Sequence, residues 1–194
     1  MIKKFCSIKI FFDVAKTFLK FYSPARMPAR SFLLRTKKTK KKIAKFSSNL
    51  IIFFFLVIDM APGTGYAQIS LSQAVPISGA IVVTTPQQVT LQDARRGLAM
   101  FKQLGVPLLG IVENMSVFIP PDMPGKKYEI FGKGGGQTLA NENDLPLLAQ
   151  IPIEIPLVDD SNKGVPISIS QPNIESSIVF GNLAQLIKNQ FVDS

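Results

Sequence analysis

"FLVIDMAPGTG", Phe55 to Gly65, is the stretch from which the fold can be read. Four apolar residues without a polar break end on Asp59, and glycines follow at 63 and 65. A strand with no polar alternation is one buried on both faces, the pattern of a parallel sheet. A carboxylate closing such a strand is the Walker B arrangement, which holds Mg²⁺ directly or through water beside nucleotide phosphates. Gly63-Thr64-Gly65 would then offer free backbone amides to a terminal phosphate. The same residues also suit a helix N-cap followed by a turn. Both readings stand at this point.

Downstream the pattern repeats. "AIVVTT" (Ala80–Thr85), "LLGIVEN" (Leu108–Asn114) and "LLAQIP" (Leu147–Pro152) are further short apolar runs. Between them, Thr90 and Asp93 have the spacing of a capping box, and Leu91, Ala94, Leu98 and Phe101 share one helical face. Gly105 and Pro107 should end that helix. A second amphipathic helix is predicted from about Ile174 to Phe191, with Ile178, Leu183, Leu186 and Ile187 inward. Strand, helix and strand joined by short links imply an α/β, doubly wound parallel sheet. Ligands of such sheets gather at the carboxyl ends of the strands. Thr84 and Thr85 there could bond phosphate or cap the next helix, and capping is favoured. Asn114 could read a base edge through an amide that both donates and accepts, or could simply be a turn asparagine.

The net charge of +9 points at first to nucleic acid or an acidic membrane. Its distribution points elsewhere. Residues 1–50 hold 14 of the 22 Lys and Arg and one acid, Asp13, giving +13; residues 51–194 hold 8 bases and 12 acids, giving −4. A mildly acidic body argues against a nucleic-acid groove. With no histidine and the single Cys6, histidine bases, His-ligated zinc and intramolecular disulfides are excluded. Residues 1–55 read as a basic segment separate from a domain at 56–194. Phe5, Ile8, Phe12, Ala15, Phe18 and Phe21 recur at roughly helical spacing, and "KKTKKK" follows. That fits an interfacial helix, a transit-type peptide or a solvated tail. The apolar run Leu50–Ile58 is nine residues, against the roughly 20 that a membrane span needs. A reducing cytoplasmic interior is the default compartment, and an organelle fits if residues 1–50 are a transit peptide.

A glycine-rich run, "FGKGGGQTLA" at Phe131–Ala140, imitates a phosphate loop. A true one follows a buried strand and ends in Gly-Lys-Ser/Thr opening a helix. Here Gln137 stands where that lysine belongs, and the polar stretch "PPDMPGKKYEI" precedes it. A structural or dimer-contact loop is the expectation.

Taken together, "LVIDMAPGTGYAQISLSQAVPISGAIVVTTPQQVTLQDARRGLAMF", "GIVENMSVF", "YEIFGKGGG" and "PLLAQIPIEIPL" closely resemble the C-terminal part of Mrp/ApbC-type P-loop ATPases. These are iron–sulfur cluster carriers related to the MinD group, and the resemblance runs from Leu56 to the C-terminus, 139 of 194 residues. It implies a P-loop NTPase sheet, ATP with Mg²⁺, a four-iron four-sulfur cluster as cargo, apo iron–sulfur proteins as clients, and a homodimer or a heterodimer with a complete relative. By resemblance, Asp59 is the Mg²⁺-associated and catalytic aspartate, and Pro62, Gly63, Thr64 and Gly65 form the switch loop. Asn114 lies at the adenine, with Pro152 and Glu154 beside the nucleotide. The chain also departs from the pattern. Walker A in these proteins lies upstream of the aspartate string, whereas none of the 58 residues before Asp59 is a glycine, and a phosphate cradle needs glycine's close backbone approach. Ala61 and Tyr66 replace the usual switch-loop proline and acid, and Glu154 replaces an aspartate. Pro120 and Met123 stand where many members carry the cysteines that ligate the cluster. The expectation is therefore a cluster carrier or assembly protein, truncated and a weak ATPase alone. Alternatives are a non-catalytic dimerising partner of a complete relative, or a ParA/MinD-like positioning ATPase at a membrane.

Overall fold

The computed structural model describes residues 7–13, 55–60, 65–123 and 125–192. The chain divides into two units, Met1–Phe11 with Val57–Ser194, and Phe12–Leu56. The second lies almost wholly outside the described residues, as do "KKTKKK" and most of the basic segment.

The elements run β1 (Ser7–Asp13), β2 (Phe55–Met60), α1 (Tyr66–Ala74), β3 (Gly79–Thr84), α2 (Gln88–Gln103), β4 (Leu108–Phe118), α3 (Gly135–Glu142), β5 (Leu147–Ile153), α4 (Ile155–Asn162), α5 (Ile167–Ser170) and α6 (Glu175–Val192). The strands order as β2-β1-β3-β4-β5. β3, β4 and β5 are parallel neighbours, with Val82 opposite Ile111 and Asn114 opposite Ile151. The four continuous apolar runs are therefore strands, and each begins within one residue of its expected start.

Helices cover both faces of the sheet, as double winding requires. On one face Ile81, Val112 and Ile151 meet Ile187 of α6, with Val179, Leu183 and Phe191 packed around them. On the other face α2 lies on β3 and α3 on β4. Leu91, Ala94, Leu98 and Phe101 of α2 are fully buried, and burying one such Leu or Phe contributes about 1.5–3 kcal/mol. Gly105 ends α2 at φ +67°. Its N–H bonds to the Lys102 carbonyl and that of Val106 to the Phe101 carbonyl, the paired bonds of a Schellman cap.

Three local expectations are corrected. Ser7–Asp13 is a strand, where the sequence fits an interfacial helix, a transit-type peptide or a solvated tail, and it pairs antiparallel with β3 beside the parallel strands. Ile8, Ile10 and Phe12 also recur with a period of two, and β-branched and aromatic residues favour strands. Pairing satisfies the row of backbone groups that the β3 edge would otherwise leave open. Thr90 is not an N-cap, because α2 already begins at Gln88 behind the Gln87 cap. In α6, Ile178 and Leu186 face outward, at 51% and 38% exposure. The inward stripe steps by four through Val179, Leu183 and Ile187 to Phe191.

Candidate nucleotide site at the strand ends

Because β3, β4 and β5 run parallel, Thr84, Asn114 and the Pro152–Glu154 segment reach the same edge of the sheet. At the end of β3, Thr84 and Thr85 are buried. The Thr90 hydroxyl lies 2.7 Å from the Thr85 hydroxyl, 2.7 Å from the Gln87 carbonyl and 3.0 Å from the Thr85 carbonyl. These threonines tie the strand to the start of α2 through their hydroxyls and backbone carbonyls; the α2 N-cap, Gln87, has no side-chain cap bond, so the capping expected of Thr84 and Thr85 is corrected.

β4 ends differently. Asn114 pairs with Ile151, and the next matched pair is Phe118 with Ile153, so three residues of β4 bulge out between them. Bulges recur beside sites because they re-aim a side chain. Met115 takes φ +57°, unusual for a non-glycine residue. Its N–H donates to Asn114 Oδ1 at 2.9 Å, and the Ser116 hydroxyl donates to the Ile151 carbonyl at 3.2 Å. With its oxygen held by Met115, half-buried Asn114 has two N–H donors on Nδ2 to offer a ring nitrogen.

One residue earlier sits Glu113, which none of the motifs in the sequence singles out. It is 1% exposed. Oε2 accepts from Gly136 N–H at 2.6 Å, and Oε1 accepts from Gln150 Nε2 at 2.8 Å. A signal for it does exist: a lone acid inside the continuous run "GIVEN" must be satisfied by neighbours if it is buried.

That carboxylate accounts for the glycine-rich run. Gly134 sits at φ +71° as the α3 N-cap. Gly135 and Gly136 are buried; a Cβ on Gly135 would meet the Pro86 carbonyl oxygen at 2.7 Å, and one on Gly136 would meet Glu113 Cβ at 2.8 Å. The Thr138 hydroxyl donates back to the Gly134 carbonyl at 3.1 Å. Lys133 pairs with Glu129 at 2.9 Å. The glycines thus permit close approach of α3 to β4, and the amide of Gly136 is already spent on a carboxylate. Outside, Arg95 of α2 holds Glu142 through two bonds of 2.9 and 2.8 Å. That guanidinium, chiefly by hydrogen bonding, pulls the Glu142 carboxyl below its ordinary value.

The structure brings Asn114 and Pro152 together on neighbouring strands. Pro152 is buried, in an edge strand where a missing N–H is tolerated. Glu154 caps α4, and its Oε2 accepts from Ser176 N–H at 2.8 Å. With Glu175, which Lys127 pairs at 2.5 Å, it places negative charge at the start of α6, where the helix dipole favours it. Asp59 is exposed near the end of β2, with β1 and β3 between that strand and β4. Gly65 caps α1. Pro62, Gly63 and Thr64 lie outside the described residues. Met123, at one of the two cysteine-equivalent positions, is 46% exposed. Among the described residues no three His, Cys, Asp or Glu side chains gather closely enough to hold a metal, and no helix is long and apolar enough to cross a membrane. The donors present suit the base end of a nucleotide, with one carboxylate for its metal; the described glycine loop does not suit its phosphates.

Parallel strands with helices on both faces, and polar side chains gathered at their carboxyl edge, define an α/β doubly wound protein of the kind that takes its ligands at that edge. Residues 19–188 match the family described as NUBPL iron-transfer P-loop NTPase, in the ParA group, and the chain belongs to that family. An iron-sulfur cluster carrier protein of Synechocystis sp. is 54% identical over 133 residues, 69% of this chain and 38% of its own length. The iron-sulfur cluster carrier protein of Escherichia coli K12 is 46% identical over 136 residues, 70% of this chain and 37% of its own. An Arabidopsis thaliana iron-sulfur protein required for NADH dehydrogenase, mitochondrial, is 47% identical over 130 residues, 67% of this chain and 41% of its own. The chain therefore spans 37–41% of the length of these relatives. Among solved structures, a nucleotide-binding protein in complex with ADP from Archaeoglobus fulgidus is 34% identical with TM-score 0.48, covering 54% of this chain and 43% of that one. The MinD cell division protein of Aquifex aeolicus is 21% identical with TM-score 0.47, covering 63% and 47%.

Proposed function

We propose that this chain serves iron–sulfur cluster carriage as the base- and metal-binding part of an ATP site. Its cargo is a four-iron four-sulfur cluster handed to apo iron–sulfur proteins. Asp59 holds Mg²⁺ directly or through water, and Pro62, Gly63, Thr64 and Gly65 form the loop that senses the terminal phosphate. Asn114 meets the adenine, with Pro152 and Glu154 along its side. The observation that carries the reading is the bulge that sets the Asn114 amide beside β5 at the carboxyl edge, in a chain of the iron-transfer family.

With no phosphate cradle among the described residues, this chain hydrolyses ATP weakly or not at all by itself, and acts beside a second copy or a complete relative. Exposed Tyr128 and Ile130, at 48% and 59%, supply apolar surface for such a pairing. The purified chain should give little Mg²⁺-dependent phosphate release. Robust turnover abolished by Asp59→Ala would overturn that part of the proposal. A complete relative co-expressed with the chain should purify as a heterodimer with it, and failure of both self-association and heterodimerisation would remove the partner reading. For the cargo, the test is anaerobic loading with iron and sulfide followed by transfer to an apo acceptor. Transfer by the pair that is no faster than release of free cluster would sink the carrier assignment.

A further inference from the structure

We propose that Glu113 is a positioning residue: its carboxylate fixes the point at which β4 leaves its pairing with β5, and so aims Asn114 at the base of a bound nucleotide. The proposal deepens the reading of Asn114 given above and rests on it.

Glu113 is buried, and its two identified partners are neutral donors on different elements, Gly136 N–H at the start of α3 and Gln150 Nε2 on β5. Removing a carboxylate from water is costly unless hydrogen bonds replace its hydration. Bonds to an ionised acceptor are shorter and about twice as strong as neutral ones, so a single side chain joins three elements. A purely packing role at this position would be filled at lower cost by an apolar residue of similar volume.

The bulge immediately C-terminal to Glu113 gives the clamp its use. The pair Asn114 with Ile151 is the last in register before the bulge, and the ladder resumes only at Phe118 with Ile153. A bulge can migrate along a strand, and a slip of one residue turns each side chain to the opposite face. Glu113 opposes that slip, because a one-residue shift would carry its carboxylate away from both Gly136 and Gln150. Asn114 then stays as the last paired residue before the bulge, with its oxygen locked on Met115 N–H and its Nδ2 donors directed by the same lock. The absence of a Cβ on Gly136 is what lets the clamp close.

The test compares full-length wild type, Glu113→Ala, Glu113→Gln and Gln150→Ala. Amide exchange by NMR is followed at Gly136, Met115 and the Asn114 side chain without nucleotide, and Mg²⁺-ATP and Mg²⁺-GTP are titrated by calorimetry. Glu113→Ala should speed exchange at all three sites, weaken ATP binding about tenfold and narrow the preference for ATP over GTP, the size expected when a buried donor loses its acceptor. Glu113→Gln should restore most of the preference, since an amide oxygen still accepts from Gly136 while the Gln150 amide can turn its oxygen to the new N–H. Gln150→Ala removes one arm of the clamp and keeps the test open if Glu113→Ala does not fold. Faster exchange at Gly136 with Met115 and Asn114 unchanged would overturn the proposal, as would equal losses of ATP and GTP affinity. Absence of nucleotide binding in the wild type would sink the reading of the site, and the exchange data would separately decide whether Glu113 holds Asn114.

Discussion

Two glycine-bearing stretches of this chain look alike in sequence and behave differently in structure. Gly135 and Gly136 are tied down: Glu113 beneath Gly136, Pro86 against Gly135, and Arg95 gripping Glu142 at the far end of α3. Gly65, by contrast, caps α1 on an exposed edge next to exposed Tyr66. The first set of glycines exists so that backbone can approach backbone. Glycine content marks both and distinguishes neither; what separates Gly136 from Gly65 is that a neighbouring carboxylate occupies the Gly136 amide.

The contrast can be tested by adding a methyl group at successive glycines. Gly136→Ala should have the largest effect. Its Cβ would lie 2.8 Å from Glu113 Cβ and 3.0 Å from Oε2, forcing the clamp open at a cost of about 3 kcal/mol from overpacking and lost hydrogen bonding. Urea unfolding measures this, and a loss below about 0.5 kcal/mol would mean that α3 is not held as described. Gly134→Ala should cost about 1 kcal/mol, because its φ of +71° penalises any Cβ while the space around it is open. Gly65→Ala should cost about 1 kcal/mol or less. Its φ of −77° accepts a side chain, while a Cβ there would come within 3.0 Å of Oε1 of buried Gln68. Equal costs at Gly65 and Gly136 would erase the distinction.

The smallest effect belongs to the outer tie. Arg95 keeps the Glu142 carboxyl below its ordinary value. An acid depressed in the folded state stabilises the fold above its unfolded pKa and loses that contribution as pH falls through its lower folded value. Glu142→Gln should therefore lower the thermal midpoint slightly at neutral pH and leave it equal to wild type in acid, below the ordinary glutamate range. The pair is exposed, so the change stays small and shrinks further with salt.

The elements differ in how far their residues announce them, and the physics of each says why. Four of the five strands are legible, because four short, mainly apolar runs admit few alternatives in a chain of this length. So is the end of α2, because Gly105 is the residue a left-handed cap demands. The face of α6 is not: Ile178, Val179, Phe180, Leu183, Leu186 and Ile187 surround the helix with apolar side chains, so periodicity alone cannot choose which stripe turns inward. Thr90 lies inside the first turn rather than ahead of it, since a threonine hydroxyl that can cap a helix from outside can equally bond back from within. Ser7–Asp13 satisfies periods of 2 and 3.6 together, and pairing with β3 decides between them. Asn114 is proposed through resemblance, since its residue type alone leaves a turn asparagine open. Glu113 beside it escapes a search for residues that could touch a ligand, because its two hydrogen-bond partners are a backbone amide and a side chain of the protein itself. The resemblance points to the iron-transfer family without any knowledge of the fold, and residues 19–188 match that family.

The most direct measurement is an NMR titration of the full chain with Mg²⁺-ATP, followed residue by residue. The account predicts perturbations centred on Asn114, Met115 and the segment from Asp59 to Gly65, with only secondary shifts at Gly132 to Thr138. Perturbations centred on Gly132 to Thr138, or none anywhere, would contradict it.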